Sequence, residues 1–146
     1  MIIWTKDRTA MAKFSSPEAA EEAFYGAFEA GDPEAMRAVW QGTPDCVCIH
    51  PGGERLQGIE LVMDSWDDIL ASMEDTVIRR SGLTVLGGSD LVTHVLHEHL
   101  YMGGELRGVI LATNAYRFNG LSWHMVLHHA SPDPTTRSRW NRRSVH

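Results

Sequence analysis

The chain has 146 residues, of which 43% are hydrophobic and 22% are charged, and its formal net charge is −6. This length and composition are typical of one globular domain with its own hydrophobic core, and they exclude a wholly disordered chain. The acidic balance argues against nucleic acid as a partner, because binding to a duplex needs a basic surface. No apolar run reaches the roughly eighteen residues that a membrane span needs, so we expect no membrane partner.

Cysteine usage points to a reducing compartment. Cys46 and Cys48 lie two residues apart in an apolar run, and this spacing matches neither a CxxC redox pair nor half of a four-cysteine zinc site. Two buried free thiols are the simpler interpretation. The N-terminal sequence MIIWTKDRTAMAKF is too interrupted by charge for a signal peptide. We therefore expect a cytoplasmic protein.

Two helices are predicted at the start of the domain. The first begins at Ser15-Ser16-Pro17-Glu18, where a serine cap, an early proline and an acidic residue suit a helix N-terminus. Gly31 is placed to end it. The second begins at once, with Asp32 as its cap and Pro33 as its first residue, and is expected to end near Gly42.

A short strand and a third helix follow. Residues 45–50 read as a strand, which the turn Pro51-Gly52-Gly53 closes. The third helix starts after Gly58, and its apolar residues recur with the helical period. These residues are Ile59, Val62, Met63, Trp66, Ile69, Leu70 and Met73.

The rest of the domain predicts four strands, near residues 76–86, 91–102, 106–118 and 121–130. The pairs Gly87-Gly88, Gly103-Gly104 and Asn119-Gly120 separate them. Helices followed by a strand meander indicate an α+β fold in which three helices cover one face of a curved antiparallel sheet. Such an arrangement leaves room for a pocket between the helices and the sheet.

The Asn119-Gly120 pair predicts a two-residue hairpin turn, because both residues tolerate positive φ. This turn pairs Phe118 with Leu121 and fixes which side chains of the last two strands share a face. His124 and His128 then fall on the outer face. The inner face is the more apolar one and carries Ile110, Ala112, Asn114, Tyr116, Trp123, Met125, Leu127 and His129.

The strand at residues 91–102 has two possible orientations. A two-residue turn at Gly103-Gly104 would face His97 and His99 inward, whereas a three-residue loop would face Glu98 inward. Apolar content favours the second, whose inward set is Val92, His94, Leu96, Glu98, Leu100 and Met102. Burial would raise the pKa of the Glu98 carboxyl group and make it a usable acid or base.

Several local sequences resemble the nuclear transport factor 2-like superfamily, in its SnoaL-like and ketosteroid-isomerase-like branch. They are FYGAFEAGDPEAMRAVW, CIHPGG with a following helix that contains SW, and ATNAYRFNGLSWHMVLHHASP. The resemblance covers residues 14–132 as one domain, with an N-terminal extension at 1–13 and a basic tail at 133–146. It implies a cone-shaped fold, an apolar pocket and a homodimer packed through the sheet. It implies no single activity, since one fold hosts many functions.

The candidate site residues are those expected to reach this pocket. Candidates for catalysis are Glu98, His50, His129 and Asn114, and candidates for binding a ligand are the aromatic residues Trp40, Trp66, Tyr116 and Trp123. Each also has a structural interpretation, as a hydrogen-bonded core residue or as part of the apolar core. His97-x-His99 could present two imidazoles together, but no complete metal-ligand set accompanies them, so we expect no metal. No phosphate-binding or nucleophile motif is present, and no cofactor is expected.

The predicted ligand is a small apolar or aromatic molecule. If the chain is an enzyme, cofactor-free acid–base chemistry next to a carbonyl is expected: isomerisation, dehydration or cyclisation. Glu98 or His50 would move the proton, while Asn114 and His129 would donate hydrogen bonds to the developing oxyanion. The aspartate base and Tyr–Asp donor pair of ketosteroid isomerase have no assigned counterparts in this sequence. The alternative is a non-catalytic module of the same fold that binds a ligand or dimerises.

Overall fold

A computed structural model describes residues 13–135, which form three helices and six strands. The helices are α1 (Pro17–Ala30), α2 (Pro33–Val39) and α3 (Ile59–Leu70). The strands are β1 (Val47–Ile49), β2 (Leu56–Gln57), β3 (Thr76–Leu86), β4 (Leu91–Met102), β5 (Glu105–Phe118) and β6 (Trp123–Pro132). Most of the predicted N-terminal extension, and the basic tail after residue 135, lie outside the described residues. No helix within 13–135 is long and apolar enough to cross a membrane.

The predicted starts of α1 and α2 and the predicted end of α1 are confirmed, while α2 ends at Val39, earlier than the predicted end near Gly42. The Ser16 hydroxyl accepts a hydrogen bond from the backbone N–H of Ala19 at 3.0 Å, and the Asp32 carboxylate accepts one from Ala35 at 3.1 Å. Gly31 adopts the left-handed conformation with φ of 65° and ends α1. These caps satisfy backbone groups that the helices leave free, so both helices begin where the sequence predicts.

The strands form one sheet in the order β2-β1-β6-β5-β4-β3. The predicted α+β fold is confirmed, with two differences in the sheet. The two-residue strand β2 was not predicted, and β1 runs parallel to β6 while the other neighbours are antiparallel. Parallel pairing is possible here because a long stretch of chain, including α3, separates the two strands. The sheet is therefore mixed, and it is not closed into a barrel.

The loop between β5 and β6 is longer than predicted. Phe118 pairs with Trp123, so four residues form the loop, and the predicted pairing of Phe118 with Leu121 is wrong. The Asn119 side chain accepts hydrogen bonds from the backbone N–H groups of Leu121 and Ser122, both at 2.9 Å. This side-chain turn stabilises the wider loop. Because the pairing moves by an even number of residues, Trp123 keeps its predicted face.

A β-bulge in β6 changes the faces of the histidines. Val126 is an extra residue between the paired positions of β6, so every later residue faces the opposite side from the prediction. His128 consequently lies opposite Asn114 and is only 2% exposed. His129 is exposed on the outer face. The predicted inner position of His129 and outer position of His128 are both wrong, because a hairpin register cannot reveal a bulge further along the strand.

A second bulge decides the orientation of β4. Met102 pairs with Glu105 across a two-residue turn at Gly103-Gly104, whose φ values are 60° and 84°. Such a turn alone would have faced His97 and His99 inward. Arg107 is an extra, unpaired residue in β5. It shifts the pairing of β4 with β5 by one position, so the face of β4 that the turn alone predicts is exchanged for the other. Glu98 therefore faces inward and is 2% exposed, as predicted, although the predicted three-residue loop is wrong.

The core lies between the helices and the inner face of the sheet. Trp66 of α3 is fully buried and packs edge-on against Phe24 and Phe28 of α1, with ring centroids 5.4 Å and 4.8 Å away. Other large side chains buried there are Met36, Met63, Leu96, Tyr116 and Met125. This apolar packing surrounds the polar side chains described next, and it isolates them from water.

Candidate functional site

Four buried polar side chains form a continuous hydrogen-bonded chain between α1 and the sheet. The Tyr25 hydroxyl donates to Glu98 Oε2 at 2.5 Å, and Asn114 Nδ2 donates to the Tyr25 oxygen at 3.0 Å. His128 Nδ1 lies 2.6 Å from Asn114 Oδ1. No member is more than 3% exposed. We call Glu98, Tyr25, Asn114 and His128 the Glu98 relay.

The relay has a defined direction. A carboxamide has its donors on nitrogen and its acceptor on oxygen. Since Asn114 Nδ2 donates to Tyr25, Asn114 Oδ1 accepts from His128, and the imidazole proton is on Nδ1. In each hydrogen bond of the relay the donor is therefore the residue farther from Glu98 along the relay. Nε2 of His128 is unprotonated and carries a lone pair.

Burial sets the protonation states at the two ends of the relay. It raises the pKa of Glu98 from 4.5 to about 7, although the hydrogen bond from Tyr25 favours the carboxylate and opposes this rise. The negative charge of Glu21 raises the Glu98 pKa further, and the positive charge of Arg80 lowers it. Burial also lowers the pKa of His128 to about 3. At neutral pH the carboxyl group is thus poised between its two forms, while the imidazole is neutral.

His50 directly follows β1, just before the predicted turn, and lies beside the relay. Its Nε2 is 2.9 Å from the Ser65 hydroxyl oxygen, and that hydroxyl donates its one proton to the Val62 carbonyl at 2.7 Å. His50 Nε2 must therefore donate to Ser65, which leaves the lone pair on Nδ1. Burial lowers the pKa of His50, so it is available as a neutral base. His50 thus acts as a donor to Ser65 and not as a base that would activate it as a nucleophile.

The neighbouring cysteine is not a nucleophile candidate either. Cys48 Sγ lies 3.5 Å from His50 Nε2, a geometry that resembles a Cys–His pair. Burial, however, raises the pKa of the Cys48 thiol well above its ordinary value. The thiolate is the reactive form, so this thiol is a structural residue.

A second polar cluster holds α1 against the sheet next to the relay. Glu21 Oε1 accepts from the Tyr116 hydroxyl at 2.8 Å and lies 2.8 Å from His94 Nδ1. Arg80 places its guanidinium 4.8 Å from the centre of the Tyr25 ring and 4.0 Å from Glu21. This cluster fixes the position of Tyr25 and brings opposing charges close to Glu98.

The structure brings together only some of the predicted site residues. Glu98 and Asn114 belong to the relay, and His50 is near it, with its ring centroid 6.3 Å from that of His128. Trp66 packs against both of these imidazoles, at 4.8 Å and 5.7 Å. His129 is on the opposite face of the sheet and takes no part.

The remaining aromatic candidates lie outside the relay. Tyr116 is fully buried; its hydroxyl donates to Glu21 and also lies close to Asn114, so it connects the Glu21 cluster with the relay. Trp123 is half-buried and its ring packs against Phe118, with centroids 5.5 Å apart. Trp40 is buried at the end of α2 and lines a separate surface cavity. None of these three side chains is a member of the relay.

Sequence reasoning missed Tyr25, Glu21 and the inward position of His128. A signal existed for the first two, since Glu21 and Tyr25 are one helical turn apart and flank the apolar stripe of α1. Two polar side chains at the edge of a buried stripe indicate a polar contact within the core. For His128 no local signal was available, because the bulge at Val126 determines its face. Within residues 13–135 no group of three or more ligand-type side chains could hold a metal ion.

Residues 18–135 match the family model of the SnoaL-like domain. A candidate calcium/calmodulin-dependent protein kinase type II association domain from Thiobacillus denitrificans is 39% identical, with a TM-score of 0.80, over 84% of this chain and 98% of that one. A candidate dehydratase of the NTF2-like family from Streptomyces avermitilis is 31% identical, with a TM-score of 0.72, over 80% and 92%. A candidate ketosteroid isomerase from Parabacteroides distasonis, at 18% identity, 81% and 88% coverage and a TM-score of 0.68, shares the fold.

One curated relative is a plant protein. F-box protein SKIP8 of Arabidopsis thaliana is 30% identical over 101 residues, which are 67% of this chain. The match spans 41% of the length of that relative. The similarity therefore concerns one part of the plant protein.

Proposed function

The chain belongs to the SnoaL-like domain family, and from this premise we propose that it binds a small apolar or aromatic carbonyl compound and catalyses cofactor-free acid–base chemistry on it. Isomerisation, dehydration and cyclisation next to a carbonyl are the reactions that this chemistry serves. The observation that carries the proposal is the buried Glu98 carboxyl group, whose pKa is raised to about 7 and which lies at the end of a directional hydrogen-bond relay. The 31% identical candidate dehydratase supports the same class of chemistry.

Glu98 is the proton-transfer group in this proposal. A general base works best when its pKa is near the working pH, because it is then partly ionised and its conjugate acid can return the proton. Tyr25 and Asn114 hold the hydrogen-bond donors nearest to Glu98. A bound carbonyl oxygen would accept a hydrogen bond from one of these donors as negative charge develops on it. The apolar surroundings strengthen this interaction. His50, with a free Nδ1 lone pair, is the second candidate base.

The proposal requires an entrance to the relay. Glu98 is 2% exposed, so a ligand must displace side chains to reach it. His50 and Ser65 lie beside the relay and are only half-buried. We propose that the pocket opens there, with Trp66 as its aromatic wall.

The test is a ligand screen followed by an exchange assay. Aromatic and polyketide-like carbonyl compounds are screened by thermal shift, since a ligand that binds the folded state raises its melting temperature. Hits are incubated in D₂O, and exchange of the hydrogens next to the carbonyl is followed by NMR. Glu98→Gln should slow this exchange by about 10²- to 10⁴-fold, whereas Glu34→Gln, on the exposed face of α2, should not. Full exchange with Glu98→Gln would refute the assignment of Glu98.

A non-catalytic module is the second candidate, and the complete burial of the relay favours it. In that case a hit from the screen raises the melting temperature, but the parent protein catalyses no exchange of its hydrogens. The relay would then serve only to fix α1 on the sheet. The 39% identical association domain agrees with this role as a binding or assembly module.

We also propose a homodimer that packs through the outer face of the sheet. Val77 and Leu106 are 41% and 46% exposed there, and Val95 faces the same side from β4, the strand between theirs. Val95→Glu should dissociate the dimer in light scattering coupled to gel filtration, because burial of an unpaired charge is strongly unfavourable. Leu61→Glu, at an exposed apolar position of α3, is the matched control. A parent protein with monomer mass would contradict the proposal.

The two free, buried thiols, Cys46 and Cys48, support a cytoplasmic location as part of the same proposal.

A further inference from the structure

A cavity of about 340 Å³ opens at the surface where the end of α2, the start of α3 and the β5–β6 loop meet. Residues in its wall include Lys13, Arg37, Trp40, Ile59, Asn119 and His124. Its volume is within the range of small-molecule sites, about 300–1,000 Å³. None of the relay residues lines it, so it is a separate place on the molecule.

Three side-chain acceptors of the cavity wall already have partners, whereas His124 Nδ1 is buried and has none in the described part of the chain. Asn119 Oδ1 accepts from two backbone N–H groups of its own loop. Ser122 Oγ accepts from the backbone N–H of Phe14 at 2.6 Å, and Gln41 Oε1 accepts from Arg117 Nε at 3.3 Å. A ligand that donates to one of these three acceptors would therefore have to break its present contact.

The donors in the wall are less well satisfied. Trp40 is 3% exposed, and its indole N–H has no hydrogen-bond partner within residues 13–135. A buried donor without an acceptor is unfavourable, which makes an incoming oxygen atom favourable. Arg37 has Glu60 at 4.0 Å, and the two side chains are 44% and 83% exposed, so this ion pair is weak.

The charge of the wall is positive although the whole chain is acidic. Lys13 and Arg37 supply two cations, and no carboxylate is among the described lining residues. The Trp40 ring and Ile59 add apolar surface. The backbone beside Trp40 is held in place because the N–H of Gln41 donates to the Met125 carbonyl at 2.9 Å. The wall thus combines positive charge, a donor without a partner in the described part of the chain, and an aromatic ring.

We propose that this cavity is a second binding site, which takes a small aromatic carboxylate. The carboxylate lies between Arg37 and Lys13, within reach of the Trp40 indole N–H after a small shift of the ring. The apolar part of the ligand lies against the Trp40 ring and Ile59. This site is independent of the proposed acid–base function, because the two sites share no residue.

The probe is phenylacetate, with the neutral isostere phenylacetamide as the comparison. Both are titrated into the ¹⁵N-labelled full chain at low salt, and the indole N–H resonances of its five tryptophans are followed. Trp40→Phe identifies the Trp40 resonance by its loss. Phenylacetate should move this resonance in a saturable manner, and phenylacetamide should bind at least about tenfold more weakly. Arg37→Gln should weaken phenylacetate about tenfold, while Arg79→Gln, an exposed arginine on the outer sheet face, should not.

Three outcomes of the titrations with the parent protein and Arg37→Gln would overturn this second site. They are equal binding of the neutral amide, unchanged affinity in Arg37→Gln, and no saturable shift of the Trp40 resonance up to about 10 mM phenylacetate. Glu98→Gln should bind phenylacetate like the parent protein. A result in which Glu98→Gln loses this binding would assign the ligand to the relay and would also overturn the second site.

Discussion

The Glu98 carboxyl group should make the stability of the protein fall as the pH rises from about 4.5 to about 7. Its pKa is raised from 4.5 to about 7 in the folded protein, chiefly by burial. In this range the folded state still holds a proton that the unfolded state has released, so the free energy of unfolding decreases with pH. At about 1.4 kcal/mol per pKa unit, this raised pKa corresponds to a loss of about 3 kcal/mol.

Glu98→Gln is the perturbation that isolates this effect. The amide has nearly the same shape, and its oxygen can still accept from the Tyr25 hydroxyl, but it cannot ionise. The free energy of unfolding of the variant minus that of the parent protein, measured by urea denaturation at a series of pH values, should therefore rise by about 3 kcal/mol between pH 4.5 and 7.5. Glu34→Gln removes an exposed carboxylate and should follow the parent curve.

The decisive quantity is the difference in unfolding free energy between Glu98→Gln and the parent protein, plotted against pH. A difference that stays constant within about 0.5 kcal/mol would show that Glu98 does not titrate across this range in the folded protein. The reasoning from burial to a raised pKa would then be wrong. The assignment of Glu98 as the proton-transfer group would lose its main support with it.

Three further predictions test the backbone and the relay. Gly31→Ala should lower the free energy of unfolding by about 1–3 kcal/mol, because φ is 65° and the new Cβ would lie 2.9 Å from a carbonyl oxygen of α3. Gly26→Ala adds a Cβ in open space within α1 and should raise the free energy of unfolding by about 0.5–1 kcal/mol in the same urea assay. Equal effects of the two substitutions would contradict this explanation. Tyr25→Phe should raise the pKa of Glu98 further, because the carboxylate loses its hydrogen bond; ¹³C NMR of the carboxyl group measures it, and an unchanged or lower value would count against the relay. The pKa of His128 is lowered to about 3 by burial, so its imidazole should stay neutral, with the proton on Nδ1, from about pH 5 to 8. Titration of its ¹⁵N shifts within that range would show that His128 is not buried as described.

The helices and most strand positions were predictable because their signals are local. Ser16 and Asp32 cap helices with their own side chains, and Gly31 ends α1 through its own backbone conformation. The inward stripe of α3 follows from the helical period alone. The predicted strands at 76–86 and 91–102 coincide with β3 and β4 for the same reason, since glycine pairs and β-branched residues mark them within a few positions.

The candidate site was only half predictable, because its geometry depends on two extra residues in the sheet. Val126 and Arg107 each shift a strand by one position, which exchanges the inner and outer faces beyond them. The bulge at Val126 makes the predicted faces of two histidines wrong, whereas the bulge at Arg107 makes the predicted face of Glu98 right. The first moves His129 out and brings His128 in, while the second keeps Glu98 inside despite its two-residue turn.

The relay itself arises only in the folded chain. Tyr25 and Glu98 are 73 positions apart, and Tyr25 and Asn114 are 89 apart. A helix pattern shows that Tyr25 lies beside a buried stripe, but the partner of its hydroxyl depends on how α1 lies across the sheet. The sequence by itself therefore determined the helices, the long strands, the α+β class and the candidate Glu98. Only the tertiary structure decided which polar groups meet, because a buried hydrogen bond forms between whatever donors and acceptors the packing and the strand register bring together.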